Sequence, residues 1–310
     1  MILIDNRNSS DPRLNLALEE YVVRTRKEGD YLLVYINEPT VVIGKHQNAL
    51  EEINHTFAGA NGIRLVRRIS GGGAVYHDEG NLNFSLITDH SPEKHNNYLP
   101  FLSPVLDLLT RMGVEGRLNN RNSLVLSDGR KFSGNAQFAS RGRMMSHGTL
   151  LFNTNLSALT SVLSPEANVE NSKAVQSVRS DVVNLREELS EEIDQEVFTQ
   201  ELIRSYAGLN PTVEVLAESE WREVEELART KYDSWEWNFG RTPKFVVRQV
   251  IESGGAFLLR VEDGVIQGVI PDAPETSLNY PFQTLVGKPF SFEKVADFFR
   301  QVREGEGGTV

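Results

Sequence analysis

One short segment constrains this chain more than any other. Residues 67–78 read Arg-Arg-Ile-Ser-Gly-Gly-Gly-Ala-Val-Tyr-His-Asp, so two guanidinium groups precede three consecutive glycines. Glycines leave backbone N–H groups unshielded and reach dihedral angles closed to other residues, so an anion can approach the main chain. Arg67 or Arg68 would add a planar charged fork. The segment therefore predicts an anion-binding loop, although three glycines also fit a plain tight turn.

The surroundings of this loop favour a ligand site. Apolar Ile63, Leu65 and Val66 before the loop and the run at 81–87 after it predict a strand on each side. Ligand sites are common on loops that a rigid scaffold positions. The glycine spacing matches neither Gly-x-x-x-x-Gly-Lys-Ser/Thr nor Gly-x-Gly-x-x-Gly, which disfavours a P-loop NTPase and a Rossmann dehydrogenase.

Composition sets the class of protein. The 310 residues are 39% hydrophobic and 24% charged, which is typical of a globular protein. No apolar run approaches the roughly 20 residues of a membrane helix, and residues 1–5 lack a signal-peptide pattern, so we expect a cytoplasmic protein that does not bind membranes. The chain has no cysteine. Disulfides, thiolate metal sites and acyl transfer through an enzyme thiol are thereby excluded.

Charge is distributed unevenly along the chain. The formal net charge of -11 argues against nucleic-acid binding, which needs a basic face. Between Arg64 and Arg143, however, 11 basic residues outnumber 7 acidic ones, so this part carries +4 and the remainder -15. A basic middle within an acidic protein suggests an anionic ligand bound in the interior.

The order of the expected elements predicts an α+β fold. Asp11 and Pro12 give an N-cap and a first helical residue for an amphipathic helix. Strands and helices then alternate irregularly, which disfavours a doubly wound parallel sheet. The further expected strands lie at 31–36, 40–44, 123–126, 134–139 and 144–152, and the further helices at 101–112, 197–206 and 221–232.

The composition changes at residues 234–243, an aromatic passage that ends in Gly and Pro. Beyond it, short strands are expected at 244–251, 255–262 and 264–270, followed by a helix at 292–302. We therefore predict two domains, a large one at 1–243 and a small one at 244–310.

Two further segments carry polar residues in unusual places. Lys131 follows a turn and begins an expected strand, where a lone lysine would ordinarily keep a strand edge soluble. The small residues at 133–136 weaken that interpretation, because they let a ligand approach the backbone. His147 and Gly148 interrupt an apolar strand, and a lone histidine there is more often a core residue than a functional one.

Together these segments closely resemble the lipoate-protein ligase A family, within the group that includes biotin ligases and octanoyltransferases. The matching stretches are Arg-Arg-x-Ser-Gly-Gly-Gly-Ala-Val-Tyr-His-Asp at 67–78, Gly-Asn-Leu-Asn-Phe at 80–84, Arg-Lys-Phe-Ser-Gly-Asn-Ala at 130–136, His-Gly-Thr-Leu-Leu at 147–151, Ser-Val-Arg-Ser at 177–180 and Trp-Glu-Trp-Asn-Phe-Gly at 235–240. The resemblance implies a mixed-sheet, biotin/lipoyl ligase-like catalytic domain with a small C-terminal α+β accessory domain.

The resemblance also implies a two-step reaction. Lipoate and ATP, with Mg²⁺, would give lipoyl-AMP and pyrophosphate. A lysine of an acceptor lipoyl domain would then take the lipoyl group and release AMP. The acceptor would be the glycine-cleavage H protein or the E2 subunit of a 2-oxoacid dehydrogenase.

The resemblance assigns roles to individual residues. Lys131 would be catalytic, between the lipoyl carbonyl and the α-phosphate. The nucleotide would be bound by Lys131 together with Arg68, Gly71, Gly72, Gly73, Ala74, Val75, Tyr76 and Asn122. Lipoate would contact Lys131, Ser70, Gly72, His77 and His147, with Val42 and Ala74 as plausible walls of an apolar tunnel. Metal ligands are left unassigned.

One departure from the family pattern leaves alternatives open. The family usually shows Gly-Arg-Asn-Asp before the lysine strand, whereas this chain has Asn-Arg-Asn-Ser at 120–123. The missing carboxylate removes a possible partner for adenine or Mg²⁺, so a catalytically weak, lipoate- or adenylate-binding regulatory protein is a second hypothesis. An ATP-independent octanoyl or lipoyl transferase is disfavoured, because such enzymes use a cysteine. Since lipoyl domains are commonly acidic, we expect them to dock on a basic rim drawn from Arg121, Arg130, Arg141 or Arg143.

Overall fold

The computed structural model describes residues 1–165, 169–170, 172–250, 256–272 and 284–291. The helices are α1 (Pro12–Thr25), α2 (Ala49–Glu52), α3 (His55–Ala60), α4 (Leu99–Arg111), α5 (Leu156–Val162), α6 (Leu185–Glu188), α7 (Gln195–Ala207) and α8 (Glu218–Leu227), with π-helical turns at Ala228–Tyr232 and Glu236–Gly240. The strands are β1 (Ile2–Ile4), β2 (Tyr31–Ile36), β3 (Thr40–Ile43), β4 (Arg64–Arg67), β5 (Val75–His77), β6 (Asn81–Asp89), β7 (Gly116–Leu118), β8 (Ser123–Leu126), β9 (Lys131–Ser140), β10 (Arg143–Leu151), β11 (Val169–Glu170), β12 (Thr212–Glu214), β13 (Phe245–Val250), β14 (Ala256–Glu262) and β15 (Val265–Pro271).

The strands form mixed sheets. Among the described residues the largest sheet has eight strands in the order β12-β1-β2-β6-β10-β9-β8-β7. Strand β1 pairs in parallel with both β12 and β2, whereas the pairs from β2 to β7 are antiparallel. A small sheet, β4-β3-β5, combines one parallel and one antiparallel pair. The prediction of an α+β fold with a mixed sheet is confirmed.

Helices cover both faces of the large sheet. Helix α1 begins where expected, because the Asp11 side chain accepts a hydrogen bond from Arg13 N and Pro12 opens the first turn. Together with α8 it packs against one face, and α4 with α7 packs against the other. Side chains alternate along β6, so Leu82 and Phe84 face α4 while Ile87 faces α1. Asn83 and Ser85 share the α1 face with Ile87, which is the face that the functional site uses.

The glycine loop joins β4 to β5, not to β6 as the sequence suggested. Strand β5 has only three residues and pairs antiparallel with β3. Three residues are too few for an alternating pattern, so this strand carries no sequence signal. Tyr76 of β5 packs into a core with Val41 and Ile43 of β3.

The C-terminal part contains the expected strands. Strands β13, β14 and β15 are successive antiparallel neighbours, and β11 adds a fourth strand through Val169 and Glu170. Leu50, from the first part of the chain, packs in the same core as Phe245. The helix expected at 292–302 lies outside the described residues, and the boundary at residue 243 stays a prediction. Within the described ranges, no helix combines the length and apolarity needed to cross a membrane.

Arg67 ties the glycine loop to the aromatic passage near residue 237. Its side chain is fully buried. Its guanidinium donates to the carbonyl oxygens of Trp237 (2.9 Å) and Asn238 (2.7 Å) and to those of Gly44 and Gln47. The Trp237 indole N–H donates back to the Arg67 carbonyl at 2.6 Å. Every contact is with protein oxygen, so Arg67 is a structural clamp.

This clamp predicts a large difference between two arginines on one strand. Arg67→Lys should lower the free energy of unfolding by about 3 kcal/mol, because an ammonium cannot reproduce the fork and leaves buried carbonyl groups unpaired. Arg64→Lys is the matched control: Arg64 is exposed and, among the described residues, pairs only with Glu38, so its change should stay within about 0.5 kcal/mol. Urea titration measures both. Equal effects of the two substitutions would contradict the clamp.

Candidate active site

Arg68 holds the glycine loop from within. It donates through Nη2 to the carbonyl oxygens of Gly71 (2.6 Å) and Gly73 (2.8 Å). Its Nε donates to Ser70 Oγ at 2.9 Å, and its Nη1 to the Val42 carbonyl at 3.0 Å. The loop turns at Gly72, whose φ of 91° is in the left-handed region that favours glycine. Because Arg68 engages the two loop carbonyl oxygens, they no longer repel an approaching anion.

A strap formed by residues 172–183 crosses the loop. Ser177 Oγ accepts hydrogen bonds from Ala74 N (2.8 Å) and Gln47 Nε2 (3.1 Å). A Cβ atom at Gly73 would lie 2.9 Å from Ser177 Oγ, so glycine is needed there to let the strap approach. Further along, the Asp181 carbonyl accepts from Lys131 N at 2.8 Å. The strap therefore joins the loop to the start of β9.

Two cavities meet at Lys131. The smaller, of about 230 Å³, lies on the α1 face of the large sheet. The larger, of about 730 Å³, lies between the strap and α5. Both are lined by Ala74, Val75, Lys131, Gly134, Thr149, Ser177, Val178 and Ser180. The smaller cavity alone is lined by Leu16, Tyr35, Val42, Arg68, Gly72, Gly73, His77, Asn83, Asn122, Ser123, Ala136 and His147, among others. The larger cavity alone is lined by Glu52, Tyr76, Leu151, Leu159, Arg179 and Asp181, among others.

Lys131 supplies the charge at this junction. Its side chain folds back over Gly134, where a Cβ atom would come within 3.3 Å of Lys131 Nζ. Burial, and next the nearby Arg68 guanidinium, lower the pKa of Lys131. Within the described part of the chain, no carboxylate pairs with Lys131 Nζ, and none lines the smaller cavity. The junction therefore attracts anions.

A buried polar network lies behind Arg68. Ser70 Oγ is 2.7 Å from His147 Nε2, and His147 Nδ1 is 3.0 Å from Glu19 Oε2. Tyr35 donates to the other Glu19 oxygen at 3.0 Å. Since Glu19 accepts at Nδ1, that nitrogen carries the ring proton and Nε2 accepts from Ser70. The order Ser-His-Glu is that of a hydrolase triad, but Ser70 is 1% exposed and lies beneath the loop, so the network positions the loop.

Two buried polar atoms of the smaller cavity have no hydrogen-bond partner among the described residues. They are His77 Nε2 and Asn135 Oδ1. Burial, with Arg68 and His147 nearby, lowers the pKa of His77 to about 3, so the ring is neutral at physiological pH. Unpartnered buried polar groups are uncommon, and in a cavity they indicate what a ligand can offer.

The structure brings most of the expected site residues together. Those in the smaller cavity are Arg68, Gly72, Gly73, His77, Asn122 and His147; Tyr76 lines the larger, and Ala74, Val75 and Lys131 line both. Ser70 and Gly71 belong to the loop but line neither cavity. Ser123 is buried at the start of β8 and lines the smaller cavity. Sequence reasoning missed Glu19, Tyr35 and the strap residue Ser177.

The expected basic rim is only partly present. The expectation for Arg143 is wrong, because this side chain is buried and paired with Asp89 across the β6–β10 register. Arg141 is exposed but lies at the opposite end of β9 from Lys131, about 30 Å away at the usual rise of a strand. Arg130 is paired with Asp128 and Glu188. Arg121 remains.

Arg121 is joined by a residue that the sequence did not suggest. Arg121 lines the smaller cavity and Arg179 the larger, and both are exposed. In the described ranges neither forms an ion pair. Arg121 and Arg179 therefore place unpaired positive charge at the two cavities that meet at Lys131.

Comparison with known proteins gives consistent results. The family model for the lipoyl protein ligase A/B catalytic domain matches residues 11–207. The lipoate-protein ligase LplJ of Bacillus subtilis is 46% identical over 250 residues, which cover 79% of this chain and 75% of that protein. Lipoate–protein ligase 1 of Staphylococcus aureus is 42% identical over 247 residues, with 79% and 75% covered.

Solved structures agree with the sequence relatives. A lipoate-protein ligase A bound with ATP superposes with a TM-score of 0.65 at 26% identity, covering 78% of this chain and 98% of the other. A bipartite lipoate protein ligase of Thermoplasma acidophilum, described with its E2 lipoyl domain, gives 0.65 at 26%, with 78% and 97% covered. A T. acidophilum protein with bound lipoic acid gives 0.64 at 25%, with 77% and 98% covered.

The strap contact predicts a change in local opening. Ser177→Ala removes the oxygen that accepts from Ala74 N, so the loop amide should exchange its hydrogen about fivefold to tenfold faster. Ser180→Ala is the control, since Ser180 lies on the same strap and is exposed, and among the described residues its hydroxyl donates only to the Val178 carbonyl. Hydrogen-exchange mass spectrometry of a peptide covering 70–78 measures both. Unchanged exchange in Ser177→Ala would show that the strap does not hold the loop.

Proposed function

Because the chain belongs to the lipoyl protein ligase A/B family, we propose that it is an ATP-dependent lipoate-protein ligase, which forms lipoyl-AMP and transfers the lipoyl group to a lysine of an acceptor lipoyl domain. The observation that carries the proposal is the junction of two cavities at a half-buried lysine with no carboxylate partner in the described residues. A reaction between a carboxylate and a phosphate needs two sites with positive charge between them.

The smaller cavity suits the acyl chain. Leu16, Val42 and Ala136 give it apolar walls, and Arg68 with Lys131 puts positive charge at one end. A fatty carboxylate would bind with its tail along the walls and its charged group at Lys131. The lipoate-binding role of Ser70 then becomes indirect, since Ser70 acts through His147 and Arg68, whereas His147 lines the cavity itself.

The larger cavity suits the nucleotide. Ala74, Val75 and Tyr76, which directly follow the three glycines, line it, so the larger cavity begins where the glycine loop ends. ATP binding is supported by the relative of similar fold that is described as bound with ATP, and we assign the nucleotide to this cavity. Arg68 lies on the smaller-cavity side, so we propose that it reaches the α-phosphate and the acyl carboxylate, rather than adenine or ribose.

Mg²⁺ fits this site only as a partner of the phosphates. Among the described residues no three His, Asp or Glu side chains form a metal cluster. Of the two carboxylates that line the larger cavity, Glu52 already accepts from Ser177 N at 3.0 Å. Asp181 is therefore the candidate protein ligand, with ATP oxygens and water completing the shell, as Mg²⁺ prefers. The metal would neutralise phosphate charge.

The chemistry follows from this arrangement. A lipoate carboxylate oxygen attacks the α-phosphorus, the bond to the β-phosphate oxygen breaks, and pyrophosphate leaves. The acceptor lysine amine then attacks the lipoyl carbonyl carbon, and AMP leaves with the electron pair of the broken C–O bond. Lys131 stabilises the negative charge that builds up in both steps, and Arg68 offsets the repulsion between the two anions.

The acceptor approaches the junction from solvent. A lipoyl-domain acceptor is supported by the relative described with its E2 lipoyl domain. We propose either such an E2 domain or a glycine-cleavage H protein as the acceptor, and the cytoplasm, which supplies ATP, as the place of reaction. Docking would use the free charges of Arg121 and Arg179.

The role of Lys131 is tested by lipoate-dependent exchange of pyrophosphate into ATP. Lys131→Ala should lower kcat/KM for exchange by about a hundredfold or more, since transition-state charge loses its main partner. Lys173→Ala, an exposed lysine on the strap, should behave as wild type. Exchange that persists in Lys131→Ala would remove the role given to Lys131.

The same pyrophosphate-exchange assay distinguishes a lipoate-protein ligase from a catalytically weak regulatory protein that only binds lipoate or the adenylate. A regulatory protein would bind lipoyl-AMP, measured by calorimetry, without catalysing exchange. The regulatory protein is considered because Ser123 stands where the family usually has an aspartate. Ser123 lines the smaller cavity and is absent from the lining of the larger one, which favours full ligase activity over the regulatory role.

Acceptor docking gives a separate prediction. Reversing Arg121 and Arg179 to Glu should raise KM for an acidic lipoyl domain about tenfold, because complementary charge speeds encounter. Arg141→Glu is the matched control, an exposed arginine far along the same sheet. Transfer from preformed lipoyl-AMP measures the second step alone. An equal rise in KM for the control would contradict docking at the junction.

A further inference from the structure

A short segment of the first part of the chain, residues 46–52 with α2, fastens the strap. Hydrogen bonds pair Val175 N with the His46 carbonyl, Ser172 Oγ with Glu51, Ser177 Oγ with Gln47, and Ser177 N with Glu52. Between residues 172 and 180 the strap forms neither a helix nor a strand. Hydrogen bonds to the rest of the protein therefore hold it in place, and the proposed reaction assigns no role to those of residues 46–52.

Glu52 is the buried carboxylate of this segment. It is 5% exposed and accepts a hydrogen bond from Ser177 N at 3.0 Å. Burial raises the pKa of Glu52, and hydrogen bonds from the Ser177 side chain and backbone and from Gln47 oppose that rise. Among the described residues, the groups that shift this pKa include no cation. A buried carboxylate without a cation is unfavourable, so the hydrogen bonds from the strap must offset its burial.

Ser177 transmits this hold to the glycine loop. The residue that donates through its backbone N–H to Glu52 also accepts through Oγ from Ala74 N at 2.8 Å. Glu52, Ser177 and Ala74 all line the larger cavity. A Cβ atom at Gly73 would lie 2.9 Å from Ser177 Oγ, so the strap and the loop are already in contact. Glu52 therefore fixes how closely the strap lies against the loop, beside the cavity that we assign to the nucleotide.

We propose that Glu52 is a positioning residue, which holds the strap against the glycine loop through Ser177 and so retains lipoyl-AMP until the acceptor lysine reacts. The inference rests on the proposed ligase function. An acyl-adenylate that escapes into water is lost by hydrolysis, so the enzyme gains by keeping the cavity closed between its two steps. Removing the Glu52 carboxylate frees the strap but leaves Lys131 and Arg68 in place. The loss therefore falls on retention of the intermediate and not on its formation.

The test measures the leak of lipoyl-AMP, as the AMP formed from ATP and lipoate without an acceptor, and pyrophosphate exchange as the measure of activation. Glu52→Ala should raise the leak about fivefold to tenfold, the worth of one hydrogen bond in local opening, and change exchange by less than about twofold. Glu52→Gln keeps an oxygen for Ser177 N, so its leak should stay within about twofold of the wild type. Glu51→Ala is the matched control: among the described residues it frees Ser172 and leaves Ser177 held, so its leak should match the wild type.

The outcomes separate the positioning role from the function beneath it. A leak that is unchanged in Glu52→Ala, or that rises equally in Glu51→Ala, would overturn the positioning role. So would a fall in exchange as large as the rise in leak, because it would place Glu52 in the activation step. If Glu52→Ala does not fold, Glu52→Asp takes its place, since its shorter side chain draws the carboxylate away from Ser177, and an unchanged leak there overturns the role as well. Absence of exchange in the wild type would instead contradict the proposed function.

Discussion

The site depends on two adjacent arginines, Arg67 and Arg68. Their guanidinium groups are hydrogen-bonded mainly to uncharged carbonyl and hydroxyl oxygens and not to carboxylates. Side chains alternate along a strand, so Arg67 and Arg68 leave the backbone in opposite directions. Arg67 holds the passage around Trp237, and Arg68 holds the glycine loop. Burial is the main factor that lowers the pKa of each to about 10, so both stay charged near neutral pH. Buried charge without full pairing is costly, and that cost is what an anionic ligand relieves.

The contacts that stabilise the loop also give it its affinity for anions. Arg68 turns two carbonyl oxygens towards itself, Ser177 holds the Ala74 amide, and the Glu19–His147–Ser70 network holds Arg68. These contacts fix the loop beside the cavities that meet at Lys131. Preorganised charge of this kind costs no rearrangement during reaction, which is where enzymes gain most of their electrostatic stabilisation.

Local patterns were predictable from the sequence, and distant partners were not. The Asp11 cap, the start of β9 at Lys131 and the C-terminal strands follow from neighbouring residues alone. Arg67 holds the aromatic passage and Arg68 holds the glycine loop. The sequence could not show which arginine has which role, because the partners of Arg67, Trp237 and Asn238, lie some 170 positions away. Glu19 lies within an amphipathic helix, where a carboxylate ordinarily faces water. Its burial follows from the contact with β10, which no local pattern indicates.

The Ser70–His147–Glu19 geometry shows why the reaction requires a nucleotide. Acyl transfer without ATP needs a nucleophile on the enzyme to carry the acyl group. This chain has no cysteine, and the one serine that faces a histidine–glutamate pair here is sealed beneath the loop and already bonded to Arg68. The acyl group must therefore be activated by another route. In the proposed reaction, a mixed anhydride with AMP, formed where two cavities meet at Lys131, supplies the leaving group that the protein itself does not offer.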